Sequence, residues 1–368
     1  MNRANAAVLV VAFCVLIALP GASLLLFPEP QRLHGVAEVK FPELRANAEW
    51  PAAFEQYFSA NFGFKRRLVQ LNSLFGYHVL GDLQSDDVLI GRDDWLFLTQ
   101  LHGWTSLRSE SPLSKRQRDG WQRSLRSAKK LLRENTPFLY LLVPSKETIY
   151  PEFLPTGVTR ARELTHLDEM LPIFESAGID YIDLREPMRN AKSGGQLYDR
   201  LDSHWNGRGA EVGTSLLLAR TGQLLKRPDL VSSSSARLVP RPSPADLALM
   251  LGLEAYLEES SFALVANPRR ARRVEPPESL GELDLQQSKR IVFEVPDPSL
   301  PTALIVRDSF ATAIIEAVSE RFRRSMWIWS RQLDLSSLQT EQPDIVIVEL
   351  TERFFSTKPP RVIAPPKR

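Results

Sequence analysis

Hydrophobic positions change their spacing several times along the chain, and each spacing predicts a different element. The first is a nearly uninterrupted apolar run over residues 6–27, close to the ~20 residues a bilayer core requires. It predicts a membrane helix. A secretory signal peptide is the competing reading, but the run exceeds an ordinary h-region and no small-x-small cleavage site stands out around Pro20, Gly21, Ala22 and Ser23. An uncleaved anchor over residues 1–27 is therefore expected, followed by a tether over 28–48 that contains Pro28, Pro30 and Pro42. From Trp50 the spacing turns helical, with Phe54, Tyr57, Phe58, Phe62 and Phe64 ahead of Leu68, Leu71, Leu74 and Phe75. That stripe reads as core packing rather than a sugar platform. Val88 to Ile90, a Gly-Arg-Asp-Asp turn and Trp95 to Leu98 predict a hairpin, with Trp95 and Trp104 either in the core or on a carbohydrate groove.

A regular alternation follows. Residues 114–134 form a basic amphipathic helix with Trp121, Leu125, Leu131 and Leu132 on its apolar side. Residues 138–143 are a strand-length apolar run, 160–176 are helical, and 179–184 are the next strand. After a helix through Glu211, Val212, Leu216, Leu217 and Leu218 the rhythm fails between about 226 and 300. There Ser232 to Ser235 form a serine run, prolines recur at 240, 242 and 244, and Arg269, Arg270, Arg272 and Arg273 crowd together. This is read as an irregular insertion whose arginines face either a polyanion, lipid headgroups or solvent. The rhythm resumes with Thr302 to Val306, Met326 to Trp329 and Ile345 to Val348. Such alternation predicts a three-layer α/β domain over residues 49–356 with a central parallel sheet covered on both faces. The tail, 357–368, is expected to be loose.

Composition narrows the function classes. The chain has 368 residues, 43% hydrophobic and 24% charged, with a net charge of +2. That is enough to bury a core, and it gives no reason to expect a nucleic-acid partner. The single cysteine, Cys14, lies in the apolar N-terminal run, which leaves neither an intrachain disulfide nor a cysteine metal site. No P-loop, dinucleotide fingerprint or zinc-type histidine spacing is present, so neither cofactor nor metal is expected.

Two segments carry chemistry. In Asp202-Ser203-His204-Trp205-Asn206-Gly207, a carboxylate and an imidazole two positions apart fall on one side of an extended segment. Asp202 can then orient His204 as a base, while Asn206 caps the helix that follows. The alternative is a half-buried structural loop histidine. About a hundred residues on, an apolar strand breaks at Arg307-Asp308-Ser309-Phe310. Ser309 is there either a nucleophile whose own N–H helps bind an oxyanion or a simple N-cap. Lys146, after the strand at 138–143, sits on a carboxyl edge, where it contacts an anionic sugar, orients a loop or lies on the surface.

Together these segments resemble the SGNH hydrolases, and more closely the branch of periplasmic polysaccharide O-acetylation proteins of the DHHW or alginate O-acetyltransferase type. In that branch the Asp-x-His-Trp block precedes the nucleophile block, a circularly permuted order that this chain shares. The similarity spans roughly residues 45–356. It includes Val88 to Gly91 with Trp95 to Leu98, Val143 to Lys146 with Ile149 to Pro151, the Asp202 block, Arg307 to Phe310, and Asp344 to Glu349 with Glu352 and Arg353. The departures are Arg307, where ordinary SGNH enzymes carry glycine, and Ser145, where the branch more often has a carboxamide or carboxylate.

The resemblance implies Ser309, His204 and Asp202 as the catalytic residues, with Lys146, Arg307 and Asn206 as substrate-binding candidates. It implies acetyl transfer through an acetyl-serine to hydroxyls of an extracellular or cell-envelope polysaccharide. A membrane-bound O-acyltransferase would supply the acetyl group, and a single-pass inner-membrane anchor would hold the domain in the periplasm. An acetylesterase of the same fold and a non-catalytic polysaccharide-binding scaffold stay open as alternatives.

Overall fold

The computed structural model describes residues 3–26, 39–44, 49–61, 64–76, 87–231, 236–277, 280, 290–359 and 362–363. The chain begins with helix α1 (Arg3–Leu26), α2 (Trp50–Asn61) and α3 (Lys65–Phe75). Side chains of α1 are described at 7–15 and 17–23, where Val10 and Phe13 are 61% and 63% exposed. Among the described residues no helix is long and apolar enough to cross a membrane. Most of the tether expected at 28–48 and the serine run at 232–235 lie outside the described residues.

An antiparallel hairpin, β1 (Val88–Ile90) and β2 (Leu96–Leu98), leads into α4 (Gly103–Arg108) and α5 (Lys115–Leu131). Helix α5 starts where the sequence signals a start, at a capping box in which Ser114 and Gln117 satisfy each other's backbone N–H groups. Strand β3 (Phe138–Val143) then gives way to the short α6 (Lys146–Ile149), α7 (His166–Ala177), β4 (Asp180–Asp183), α8 (Arg185–Ala191) and α9 (Gly207–Leu224). Helix α7 starts six residues later than the expected 160–176, because Thr165 and Asp168 form its capping box.

The stretch expected to be irregular is ordered over much of its length. It holds β5 (Ala236–Pro242), α10 (Asp246–Met250), β6 (Ser260–Ala266), β7 (Arg272–Val274) and β8 (Arg290–Glu294). The chain closes with β9 (Thr302–Arg307), α11 (Ile315–Ser319), β10 (Arg324–Trp329), β11 (Leu333–Asp334), α12 (Leu335–Glu341), β12 (Ile345–Thr351) and β13 (Val362–Ile363). Part of the tail expected to be loose is thus paired, since β13 runs parallel to β11. After Ser309 the chain forms a 3-10 turn over Phe310–Ala313 followed by the short α11.

The central sheet has seven strands in the order β4-β3-β12-β9-β10-β8-β7. The expectation of a parallel sheet holds for its first five strands, which pair in parallel. It fails at one edge, where β8 runs antiparallel to both β10 and β7, so the sheet is mixed. The parallel strands β3, β9 and β12 are buried at every position, as double-sided cover requires. Their side chains alternate between two cores. Leu139, Leu141, Ile305 and Ile347 face the core shared with α8 and α9, and Tyr140, Leu142, Val306 and Val348 face the core shared with α5 and α7. A third cluster joins the β1–β2 hairpin to α10 through Val88, Leu96, Leu247 and Ala248.

This topology fixes the place for a site. The chain steps outward in one direction from β3 to β4 and in the other from β9 to β10, with β12 inserted between the two halves. The carboxyl ends of β3, β12 and β9 consequently lie side by side at the point where the winding reverses, where open α/β sheets bind ligands.

Candidate active site

The turn after β9 is built around a buried carboxylate. Asp308 accepts hydrogen bonds from the Phe310 N–H (2.9 Å), the Thr351 N–H (2.8 Å) and the Thr351 hydroxyl (2.6 Å). Its own N–H donates to Glu349 at 3.0 Å. The Asp308–Phe310 contact bends the chain straight out of the strand and aims Ser309 away from the sheet, while the bonds to Thr351 lock the turn to β12. Burial, reinforced by the nearby Asp308 charge, pushes the Glu349 carboxyl well above its ordinary value and favours its neutral form.

Polar contacts from distant parts of the chain hold the second loop. The Lys146 ammonium is 3% exposed and donates to the backbone carbonyls of Leu96 (2.7 Å), Arg200 (2.7 Å) and Asp202 (2.9 Å). Burial draws its pKa down to about 8, against the pull of Asp202 and Asp246. Asn206 ends the loop by accepting from the N–H groups of Arg208 and Gly209 at the start of α9. Glycine is required next: a Cβ on Gly207 would lie 2.7 Å from the Phe262 carbonyl oxygen. The Trp205 indole donates to the Phe310 carbonyl at 2.9 Å, tying this loop directly to the turn after β9.

Between them the two loops bring three side chains into line. His204 Nε2 lies 2.8 Å from the Ser309 hydroxyl. His204 Nδ1 lies 2.9 Å from Asp202 Oδ1, which also accepts the His204 N–H at 2.9 Å. The His204 side chain keeps 30% of its surface exposed and Asp202 only 4%. This is the geometry that a nucleophile, its base and an orienting acid require, formed across 105 residues of sequence. Asp246, the first residue of α10, places Oδ2 3.4 Å from the same Nδ1. Burial pulls the imidazole down, but the hydrogen bonds and charges of Asp202 and Asp246 outweigh it and push His204 up to about 9. Burial alone would raise the Asp246 carboxyl, yet His204 and Ser203 hold it below its usual range.

Asp202, His204 and Asp246 each present a ligating atom within 4.8 Å of the others. Every oxygen of the two carboxylates already accepts a hydrogen bond, from His204, Ser203 or the Asp246 N–H. The donor set is therefore that of a satisfied hydrogen-bond network rather than of an open cation site.

The remaining candidates take other positions. Lys146 spends its protons on three carbonyls and holds the loop that carries Asp202, so it does not face a ligand. Asn206 uses its oxygen on α9 and its NH2 on Gln196 and Asp199. Arg307 is 3% exposed; it stacks on Trp329 and donates to the Asp308 carbonyl and the Thr312 hydroxyl. Trp95 is core, stacked on Phe153 at 4.4 Å, whereas Trp104 stays 42% exposed. The crowded arginines are partly paired, Arg269 with Glu316 and Arg270 with Glu320.

Sequence reading had no role for Asp246 or Asp308. Asp308 was findable, since an acid two residues before an N–H at a strand end is an Asx-turn signal. A cavity of 630 Å³ opens farther along the same edge, lined by Glu147, Thr148, Arg160 and Lys192, and none of Ser309, His204 and Asp202 lines it.

Comparison with known proteins places the chain. It is 24% identical over 329 residues to the probable alginate O-acetylase AlgJ of Azotobacter vinelandii, covering 84% of this chain and 80% of that protein. It is 27% identical over 340 residues to the protein of the same name in Pseudomonas putida, covering 85% and 81%. The solved structure of Bacillus cereus PatB1 superposes with a TM-score of 0.52 at 16% identity, over 73% of this chain and 97% of that one, a likeness of fold alone. A family model described as "SGNH hydrolase-like domain, acetyltransferase AlgX" matches residues 88–289, which include Asp202, His204 and Asp246. With more than half of its length matched by that model, the chain belongs to the AlgX family of SGNH hydrolase-like acetyltransferase domains.

Proposed function

We propose that this protein is a polysaccharide O-acetyltransferase that works through a covalent acetyl-serine on Ser309. The observation that carries the reading is the Ser309 hydroxyl at 2.8 Å from His204 Nε2, with Asp202 on the opposite ring nitrogen. A serine hydroxyl becomes a competent nucleophile when a base removes its proton as it attacks. In this reading His204 takes that proton, Ser309 attacks the acetyl carbonyl of the donor, and the Ser309 N–H supplies one oxyanion contact. The leaving group departs with the proton from His204. A sugar hydroxyl, deprotonated in turn by His204, then attacks the acetyl-serine, and Ser309 recovers its proton. Asp202 holds the ring tautomer and stabilises the imidazolium in both halves.

Family membership and the alginate O-acetylase names of the relatives support a polysaccharide as acceptor. The apolar run over residues 6–27 of the sequence supports an N-terminal single-pass anchor, with the folded domain on the periplasmic side of the inner membrane. Activated acetyl donors are cytoplasmic, so that placement calls for a membrane-bound O-acyltransferase to pass the acetyl group across.

The test is to incubate the protein with an acetyl ester and a glycan acceptor and to measure free acetate and acetylated glycan together. Transfer predicts acetylated glycan that disappears in Ser309→Ala and in His204→Ala. Acetate alone, with acceptor present, identifies an acetylesterase instead. Unchanged polymer acetylation by both variants in cells identifies a scaffold.

A further inference from the structure

We infer that Asp246 is a second carboxylate positioning His204, so that the base is held by a pair of acids instead of Asp202 alone. Its oxygens are fixed in place: Oδ1 accepts the Ser203 N–H and Oδ2 the Ser203 hydroxyl, both at 2.6 Å, and Oδ2 lies 3.4 Å from His204 Nδ1. The Asp246 N–H donates to Asp202 Oδ2 at 3.2 Å, so the two acids are joined and cannot move independently. Two further N–H groups of the same helix, those of Leu247 and Ala248, donate to the Leu201 carbonyl at 3.1 and 3.3 Å. Helix α10 is thus hydrogen-bonded along the very loop that carries Asp202 and His204. The chain enters the helix through Ala245 at φ 53°, a left-handed conformation that a non-glycine residue adopts at a cost. Packing of Leu247 and Ala248 against Val88 and Leu96 offsets that cost.

The groups around His204 define what the second acid does. Asp202 and Asp246 share one ring nitrogen. The Lys146 ammonium lies behind Asp202, on its carbonyl. On the nucleophile side, Asp308 is spent on Phe310 and Thr351. The Arg353 guanidinium stacks on the far partner of His204, the Phe310 ring. Among the described residues, therefore, two anions face the imidazole and no cation is in contact with it. The pair stabilises the imidazolium that forms as Ser309 attacks, and it also favours the imidazolium in the resting protein. Asp246 makes the base stronger and, at neutral pH, less often available.

The inference rests on the acyl-transfer reading for its effect on rate, and on geometry alone for its effect on titration. In the full chain carrying Ser309→Ala, the His204 ring is titrated by NMR from pH 5 to 10, with and without Asp246→Asn. The expected result is a midpoint lowered by roughly one unit or more, the size of effect one close charge exerts. With Ser309 intact, the rising limb of kcat/KM for a small acetyl ester moves down in pH by the same amount. The high-pH plateau falls by roughly tenfold, far less than the ~10⁴-fold loss expected when the orienting acid itself is removed. An unchanged midpoint in a folded Asp246→Asn protein overturns the inference. Should that variant fail to fold, Asp246→Ser, which removes the charge and leaves Ser203 in place, is read in the same way: a downward shift supports the pairing and no shift overturns it. A wild-type protein that cleaves no ester removes the acyl-transfer reading, while the NMR titration still decides the role of Asp246.

Discussion

The two sides of the site are held in different ways. Ser309 sits on a turn whose parent strand is buried at every position and whose key acid is locked to the neighbouring strand by two short bonds to Thr351. His204 sits on a loop outside the central sheet, fixed by the Lys146 ammonium, Asp246, the Trp205 indole and the Asn206 cap. Ser309 inherits its position from the sheet, and His204 is placed by convergent polar contacts. Changes beneath the Ser309 turn should therefore register mainly in stability, whereas changes around the His204 loop should register in the chemistry as well as in stability.

Removing either reacting group is the most severe way to probe the contrast. Ser309→Ala and His204→Ala should each lower acetyl-ester turnover by about 10⁴-fold or more, and the double variant should be hardly worse, because the two act as one unit. Steady-state kinetics on the three proteins checks this, and independent, additive losses would contradict a shared step. Next in size is Lys146→Met, which leaves three buried carbonyls without a donor and should cost on the order of 3 kcal/mol. Denaturant unfolding measures that cost. At denaturant-free equilibrium the folded fraction should also lose activity, which a purely global destabilisation does not produce.

Smaller effects separate the two sides by pH. His204 has a folded pKa of about 9, above the usual 6.5. Its contribution to stability is complete below pH 6.5 and is lost as pH rises towards 9. Thermal midpoints should decline across that window, and less steeply in Asp246→Asn. Glu349 is an acid whose folded pKa is raised, so its neutral form favours the fold and stability falls as pH climbs above its ordinary 4.5. Glu349→Gln keeps a neutral hydrogen-bonding group under the nucleophile turn. It should match the wild type near pH 4 and exceed it by about 1 kcal/mol at pH 8, with kcat almost unchanged. A large kcat loss in Glu349→Gln would show that the nucleophile side also depends on a titrating group.

What the sequence disclosed follows burial rather than importance. Strands such as Phe138–Val143 and Ile345–Thr351 are covered on both faces, and continuous apolar runs announce them. The pair Asp202 and His204 was legible because two positions of extended chain set their spacing, and Ser309 because a buried strand ends abruptly before it. Strands β5, β7 and β8 are partly exposed and carry arginines and prolines at positions a double-sided strand would fill with aliphatic residues. No period survives there, and the antiparallel edge and Asp246 were missed together. For Lys146 the sequence left an anionic sugar, a loop and the surface open, and the structure selects the loop. A lysine at a strand end looks solvent-facing in sequence, and only the fold brings three carbonyls around it.

The bond from the Trp205 indole to the Phe310 carbonyl joins the two loops without using the Ser309 hydroxyl or the His204 ring nitrogens. Deleting that hydroxyl therefore leaves the clasp between the loops closed. Ser309→Ala should be an inert receptor of native shape, able to retain a glycan it can no longer modify, and so a ready bait for capturing the natural acceptor from polysaccharide extracts.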